Sequence, residues 1–288
     1  MNILRSMLFV PANNARRVEK ALGLDADAVI LDLEDAVAAA EKPAARGAIV
    51  DALRKPRSGL AYVRINGLST EWCYRDLTEI VQPGLDGILL PKAERASDLH
   101  TTDWLLRALE RERGLAPGAV DLVPIIETGA GLAAIAEICG CGARHRRVVF
   151  GAADFTLDMN MQWTRAEAEL AHARAQIVLA SRVAGLEPPI DTVWARLQDS
   201  DGLRASARTS LETGFQGRLC IHPDQIGLVH EVFTPSAEEH ARALRIVSAF
   251  EDAERAGLAS IRVDGEFVDY PIVAKARRIV EIMNRSKR

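Results

Sequence analysis

The run AVILDLEDAV, 28–37, carries an apolar stretch with no polar face straight into three carboxylates, Asp32, Glu34 and Asp35. Two further acids stand singly among small residues, Glu127 in IIETGAG and Asp154 in FGAADF. Small neighbours let a ligand come close to the backbone. Two oxygen ligands that leave several coordination positions open are a usual way to hold Mg²⁺, with water and a chelating substrate filling the rest. No thiolate or histidine cluster stands near them, which argues against zinc. The amides of Ala152, Ala153 and Asp154 could bind a carboxylate. Arg64 and Asn66 end the run AYVRI, Lys92 and Glu94 follow GILLP, and His222 follows GRLCI. Each has a plainer reading as well. Asp32 or Asp35 could cap a helix, Arg64 could pair with an acid, Lys92 could simply neutralise the acids, and His222 before Pro223 reads best as a structural histidine. The repetition of charge at one end of successive apolar runs is what points to a site.

Those runs number eight: 6–10, 28–33, 61–65, 87–91, 121–126, 147–151, 189–194 and 217–221. Helical patterns lie between them at 14–22, 41–53, 72–81, 97–113, 132–138, 165–184 and 202–212. The stretch 165–184 is alanine-rich without internal Gly or Pro, and 189–194 begins with two prolines. Short buried strands alternating with helices imply parallel βαβ units. Eight of them in about 230 residues predict an α/β fold of the (β/α)8 TIM barrel type, whose active site gathers at the C-terminal strand ends. A doubly wound sheet would show a glycine-rich turn after its first strand, and here Pro11-Ala12-Asn13-Asn14 stands there. We therefore expect a catalytic barrel over 1–232 and a C-terminal extension over 233–288. The extension holds a helix at 236–256, a hairpin around Asp264-Gly265 and a last helix at 272–284.

The chain has 288 residues and a formal net charge of −4, so nothing in its bulk charge favours nucleic acid or an anionic membrane. No apolar run reaches the roughly 20 residues of a membrane helix. Cys139 and Cys141 lack a second pair with zinc spacing. Together with Cys73 and Cys220 they read as thiols of a reducing, cytoplasmic setting.

In order along the chain, RSMLFVPANN, LDLEDAV, EKPAAR, YVRIN, ILLPKAE, PIIETGAGL, FGAADF, GRLCIHP and DGEFVDYP resemble the CitE-like branch of the HpcH/HpaI aldolase and citrate lyase family. These are the malyl-, citramalyl- and citryl-thioester lyases. The resemblance implies a trimeric or hexameric TIM-barrel enzyme that uses Mg²⁺, with Mn²⁺ as a substitute. Such an enzyme cleaves a 3-hydroxyacyl-CoA to acetyl-CoA and a 2-oxo acid, and the residues leave open whether the carrier is CoA or an acyl carrier protein. Matched motif by motif, Glu127 and Asp154 take the place of the metal ligands and Arg64 that of the arginine facing the substrate. Glu34 and Asp35 stand behind metal-bound water, and Ala153 lies by the substrate carboxylate. Asp269 in FVDYP takes the place of the acid that a neighbouring subunit inserts, and Arg16 and Lys20 that of contacts to CoA phosphates. Ala153 stands where many relatives carry an acid, and Arg218 where they carry Lys. Three other readings compete. An aldolase of free 2-oxo acids would depend on a histidine near the metal, and none stands at the early strand ends. A CoA thioester hydrolase is compatible with the same residues. A non-catalytic barrel subunit would have no need of Glu127, Asp154 and Arg64 together. Among 2-oxo acids, glyoxylate, pyruvate and oxaloacetate stay open, with the pocket wall expected around Ala152 and Leu157.

Overall fold

The computed structural model describes residues 3–286. Eight parallel strands close a barrel in chain order. They are β1 (Ser6–Pro11), β2 (Ala28–Asp32), β3 (Leu60–Arg64), β4 (Gly87–Leu90), β5 (Asp121–Ile126), β6 (Val149–Phe150), β7 (Ile190–Asp191) and β8 (Gly217–Cys220). Strands covered on both faces have no polar side to show, and every residue of β2, β4, β5 and β8 is buried. Met7, Ile30, Tyr62, Leu89, Val123, Val149, Ile190 and Leu219, at least one from each strand, fill the barrel interior. A methyl group on Gly87 would sit 2.3 Å from the Tyr62 ring, so the glycine makes room for this large interior side chain. The TIM-barrel expectation holds.

The register matters for function. β2 and β3 pair so that Asp32 lies directly beside Arg64. The last residues of adjacent parallel strands therefore present an acid and a base at the same height on the barrel rim.

Two local expectations change. The stretch 165–184 is not one helix. A short 3-10 turn, Ala168–Leu170, precedes the helix Ala171–Val183, and Glu167 adopts φ 54°. Its carboxylate is drawn inward to Arg174 Nη2 at 2.6 Å and to the Ser206 hydroxyl. A buried charge interaction thus overrides the helix propensity of the alanine-rich sequence. The run 189–194 contributes only Ile190–Asp191 as strand. Beyond it, the Thr192 side chain accepts the Ala152 N–H at 2.9 Å and Trp194 turns inward, 1 % exposed. Two helices, Ala152–Asp158 and Asp224–Phe233, were not foreseen.

The chain separates into two compact units, Leu4–His230 and a second beginning at Glu231. In the second, Ser236 and Glu239 form a reciprocal cap on the helix Ala237–Arg255. The hairpin β9 (Ser260–Val263) and β10 (Glu266–Asp269) turns through Asp264 at φ 51° and Gly265 at φ 87°. Both central residues are left-handed, the turn that Asp-Gly favours. The hairpin packs Val268 with Phe250, Ile246, Val273 and Ala276. Among the described residues no helix is long and apolar enough to cross a membrane.

Candidate active site

Five carboxylates and two cations converge at the C-terminal mouth of the barrel. Arg64 donates through Nε and Nη2 to Asp32, at 2.7 and 2.6 Å. This fork-on-fork pairing fixes the guanidinium plane, and the Phe9 ring covers it at 4.9 Å. Arg64 Nη1 lies 2.7 Å from Glu34 Oε2 and 3.9 Å from Asp35 Oδ2. Burial works against the Arg64 charge, but the bonds to Asp32 and the charges of Asp32, Glu34 and Glu127 prevail and hold its pKa above the ordinary value. Asp32 also accepts the backbone N–H groups of Glu34 and Ala36. One carboxylate therefore shapes the loop after β2 and orients the arginine of β3.

Behind that loop, Lys42 Nζ donates to the carbonyls of Leu33 and Glu34 and to Asn66 Oδ1, at 2.6, 2.8 and 2.6 Å. Asn66 in turn donates to Asp76, which pairs with Arg46. All four side chains are buried, and the chain of bonds holds the two strand ends in place.

Lys92 follows β4 with φ 48°, a left-handed conformation that costs a lysine roughly 1 kcal/mol or more. In this conformation its N–H reaches Glu127 Oε1 at 2.8 Å while its ammonium reaches Glu34 Oε1 at 3.0 Å and Asp154 Oδ1 at 3.8 Å. Glu127 is 2 % exposed, and among the described residues no donor is paired with its Oε2. A methyl group on Gly151 would fall 2.7 Å from that oxygen, so the glycine keeps the space open. Burial, then the charges of Glu34 and Asp154, push Glu127 up to about 8, against the Lys92 amide and Arg64. Glu34 is likewise raised, chiefly by burial. Its Oε2 is buried against Arg64 Nη1 at 2.7 Å, an ion pair without hydrogen-bond alignment.

The acids thus exceed the cations, and Glu127 Oε2 faces the space that Gly151 keeps open. Both features fit a small divalent cation. Glu127 and Asp154 are hard oxygen donors on neighbouring segments, and no larger His, Cys or acid cluster suited to metal is found among the described residues.

A cavity of about 460 Å³ opens here. Asp35, Arg64, Glu127, Ala153 and Asp154 all line it. Asp154 lies not at a strand end but in the first turn of the helix Ala152–Asp158, four residues past β6. The expected wall is also different. Ala152 is fully buried and Leu157 is 81 % exposed, so Ala153, Val193 and Ile221 form the wall instead. An adjoining cavity of about 360 Å³ is lined by Arg17, Lys20 and His222. Arg16 is exposed as well but is not among the residues that line it. His222 is half exposed and accepts the Asp224 N–H at 3.3 Å, a local bond in the turn before the helix Asp224–Phe233. Asp269 belongs to the second unit, where Oδ1 accepts the Ile272 N–H at 3.4 Å as a cap to the helix Tyr270–Ser286. Sequence reasoning allowed Lys92 to neutralise the acids and Arg64 to pair with one, and missed the Lys92 amide on Glu127, the choice of Asp32 as the partner of Arg64 and the role of Lys42. The neighbouring ends of β2 and β3 were the one signal that could have found the Asp32–Arg64 pair.

Carboxylates and a clamped arginine at the C-terminal mouth of a (β/α)8 barrel stand where enzymes of this fold carry their active sites. The chain matches the HpcH/HpaI aldolase/citrate lyase family over residues 5–223 and belongs to it. It is 35% identical to the citrate lyase subunit beta of Leuconostoc mesenteroides subsp. cremoris, across 97% of this chain and 93% of that protein. It is 36% identical to the L-malyl-CoA/beta-methylmalyl-CoA lyase of Cereibacter sphaeroides, across 96% of this chain and 93% of that one. Among solved structures, CitE from Mycobacterium tuberculosis in complex with magnesium, acetoacetate and coenzyme A superimposes with a TM-score of 0.75. It is 32% identical, with 99% of this chain and 98% of that one covered.

Proposed function

We propose that the protein is a Mg²⁺-dependent carbon–carbon lyase that cleaves a 3-hydroxyacyl-CoA to acetyl-CoA and a 2-oxo acid. The observation that carries this reading is the meeting of Glu127, Asp154 and Arg64 around one cavity. The relatives named as CoA-ester lyases and the magnesium and coenzyme A in the similar structure support it. Glu127 and Asp154 would hold Mg²⁺, which supplies Lewis acidity to the substrate hydroxyl and carboxylate. The amide of Ala153 is available to the carboxylate.

In the cleavage direction the hydroxyl loses its proton through a water to Glu34, which stands behind the cavity against Arg64 and Lys92. The C–O bond becomes C=O and the C2–C3 bond breaks. The electron pair passes into the thioester enolate. Arg64, held rigid by Asp32, stabilises the charge on the thioester oxygen. Asp269 of a neighbouring protomer then protonates the enolate carbon, which balances the proton lost. Asp35 stands beside Arg64 and adds acidity to the rim. Arg17 and Lys20, in the adjoining cavity, would contact CoA phosphates. The C-terminal unit serves as lid and oligomer contact in a trimer or hexamer.

Asp269→Asn tests the acid assignment. The variant is expected to retain Mg²⁺ binding and lose at least about a hundredfold in turnover of a hydroxyacyl-CoA. Turnover near the wild-type rate would remove Asp269 from the mechanism.

A further inference from the structure

We propose that Thr192 is a positioning residue for the metal site. Its hydroxyl oxygen, directly past β7, replaces the missing cap of the helix Ala152–Asp158 and so sets where the Asp154 carboxylate stands. The proposal rests on the reading of Glu127 and Asp154 as Mg²⁺ ligands and deepens it. A helix start leaves its first N–H groups without partners in the helix, and the residue before the first turn commonly offers a side-chain oxygen to one of them. Here that residue is Gly151, and the helix has no side-chain cap of its own. A Cβ at this position would fall 2.7 Å from Glu127 Oε2, so a capping residue cannot stand there while the space beside that oxygen stays open. The acceptor therefore has to come from elsewhere. Ala152 is fully buried, and its N–H donates to Thr192 Oγ1 at 2.9 Å. Thr192 is itself 1 % exposed, and Arg218 Nε holds its carbonyl at 3.2 Å.

This bond matters because little else fixes Asp154. Among the described residues no hydrogen bond holds its carboxylate, and the Lys92 ammonium lies 3.8 Å away. Glu127, by contrast, is held by the Lys92 N–H at 2.8 Å. The place of Asp154 is thus inherited from the backbone of its helix turn. The Gly151 N–H ties that turn to the Ile126 carbonyl at the end of β5, at 3.0 Å. Thr192 ties it to the segment past β7, so the turn hangs between two strands. Phe155 packs edge-on against Phe150 at 5.4 Å, and the Thr156 hydroxyl donates back to the Ala152 carbonyl at 2.8 Å. Neither contact supplies an acceptor for the first N–H. Mg²⁺ takes its oxygens at about 2.0–2.1 Å in near-ideal octahedral geometry, so a small shift of the turn is felt as lost affinity.

The test uses the intact protein without substrate. Mg²⁺ is titrated calorimetrically into the wild type, Thr192→Val, Thr192→Ser and Asp154→Asn, with thermal melts on the same samples. Serine keeps the acceptor oxygen, and valine keeps the shape without it. We expect Thr192→Val to weaken Mg²⁺ about tenfold and Thr192→Ser to stay within about threefold of the wild type. Deuterium uptake at the amides of residues 152–158 should rise in Thr192→Val and return with serine. A role confined to stability would lower the melting temperature of Thr192→Val and leave its Mg²⁺ affinity unchanged, and that result overturns the proposal. A serine variant as weak as the valine one, or unchanged deuterium uptake, overturns it as well. If Thr192→Val does not fold, Thr192→Ala takes its place in the same comparison. Affinity lost in Asp154→Asn but kept in Thr192→Val strikes the proposal alone. Affinity unaffected by Asp154→Asn removes the metal reading, and the proposal with it.

Discussion

Glu127 is where burial and charge conflict most sharply. Its carboxyl stands at about 8 in the cation-free protein, yet only the carboxylate can hold a divalent cation. Binding of Mg²⁺ at neutral pH is therefore expected to release close to one proton and to tighten as pH rises toward about 8. Calorimetry in buffers of different ionisation enthalpy measures this directly, and an absence of proton release would contradict it. The stability consequence follows from the same shift. A carboxyl whose folded pKa lies above its unfolded value favours the fold below that unfolded value and loses the contribution as pH rises through the folded one. Thermal melts in a chelator are expected to fall between roughly pH 5 and pH 8, and Mg²⁺ to restore the loss. Glu127→Gln should weaken Mg²⁺ at least about tenfold and flatten that pH dependence. At this scale the acids were legible in the sequence because they interrupt apolar runs. The charge of Lys92 among them was legible too, but not its backbone N–H on Glu127, which depends on the left-handed conformation at φ 48°.

At the scale of elements, the strands were legible because both-face burial leaves an unbroken apolar run, and the Asp-Gly hairpin because its turn has few alternatives. The stretch 165–170 was not legible. Its local propensity is helical, and what bends it is a partner far along the chain. Glu167 and Asp191 face Arg174 and Arg218 in a cluster hidden between β7, β8 and the outer helices. Arg218 has no exposure and also donates to the Thr192 carbonyl at 3.2 Å, while the Thr192 hydroxyl oxygen holds Ala152 at the start of the helix that bears Asp154. Burial alone would raise the Asp191 pKa, yet Arg218 and Arg174 together hold it below the ordinary carboxylate value. Asp191→Asn removes their charge partner and is expected to cost about 3–5 kcal/mol, read from the urea midpoint at constant slope. A loss below about 1 kcal/mol would mean that the cluster is not a coupled network. A lysine at 218 could not reproduce the planar fork that binds Thr192, Ser206 and Ser210.

For the whole molecule, the division into a barrel unit and a C-terminal unit raises the question of how Asp269 acts. If each site takes its acid from a neighbouring protomer, two inactive variants can complement one another. Mixed oligomers formed by co-expressing Arg64→Ala and Asp269→Asn chains are expected to recover about a quarter of wild-type activity, from sites where an intact arginine meets an intact partner acid. An acid acting within its own chain predicts no recovery, because each chain then lacks one of the two groups. This level of organisation was the least legible in the sequence. Hydrophobic periodicity specifies the hairpin and its two helices, but not what their outer faces meet.

The central claim is that Glu127 and Asp154 hold the cation on which carbon–carbon cleavage depends. The most direct measurement follows formation of a hydroxyacyl-CoA from acetyl-CoA and pyruvate by mass, with Mg²⁺ or with excess chelator, in the wild type and in Glu127→Gln. The account predicts product only in the wild type with Mg²⁺. Equal product in chelator, or in Glu127→Gln at the wild-type rate, would contradict it.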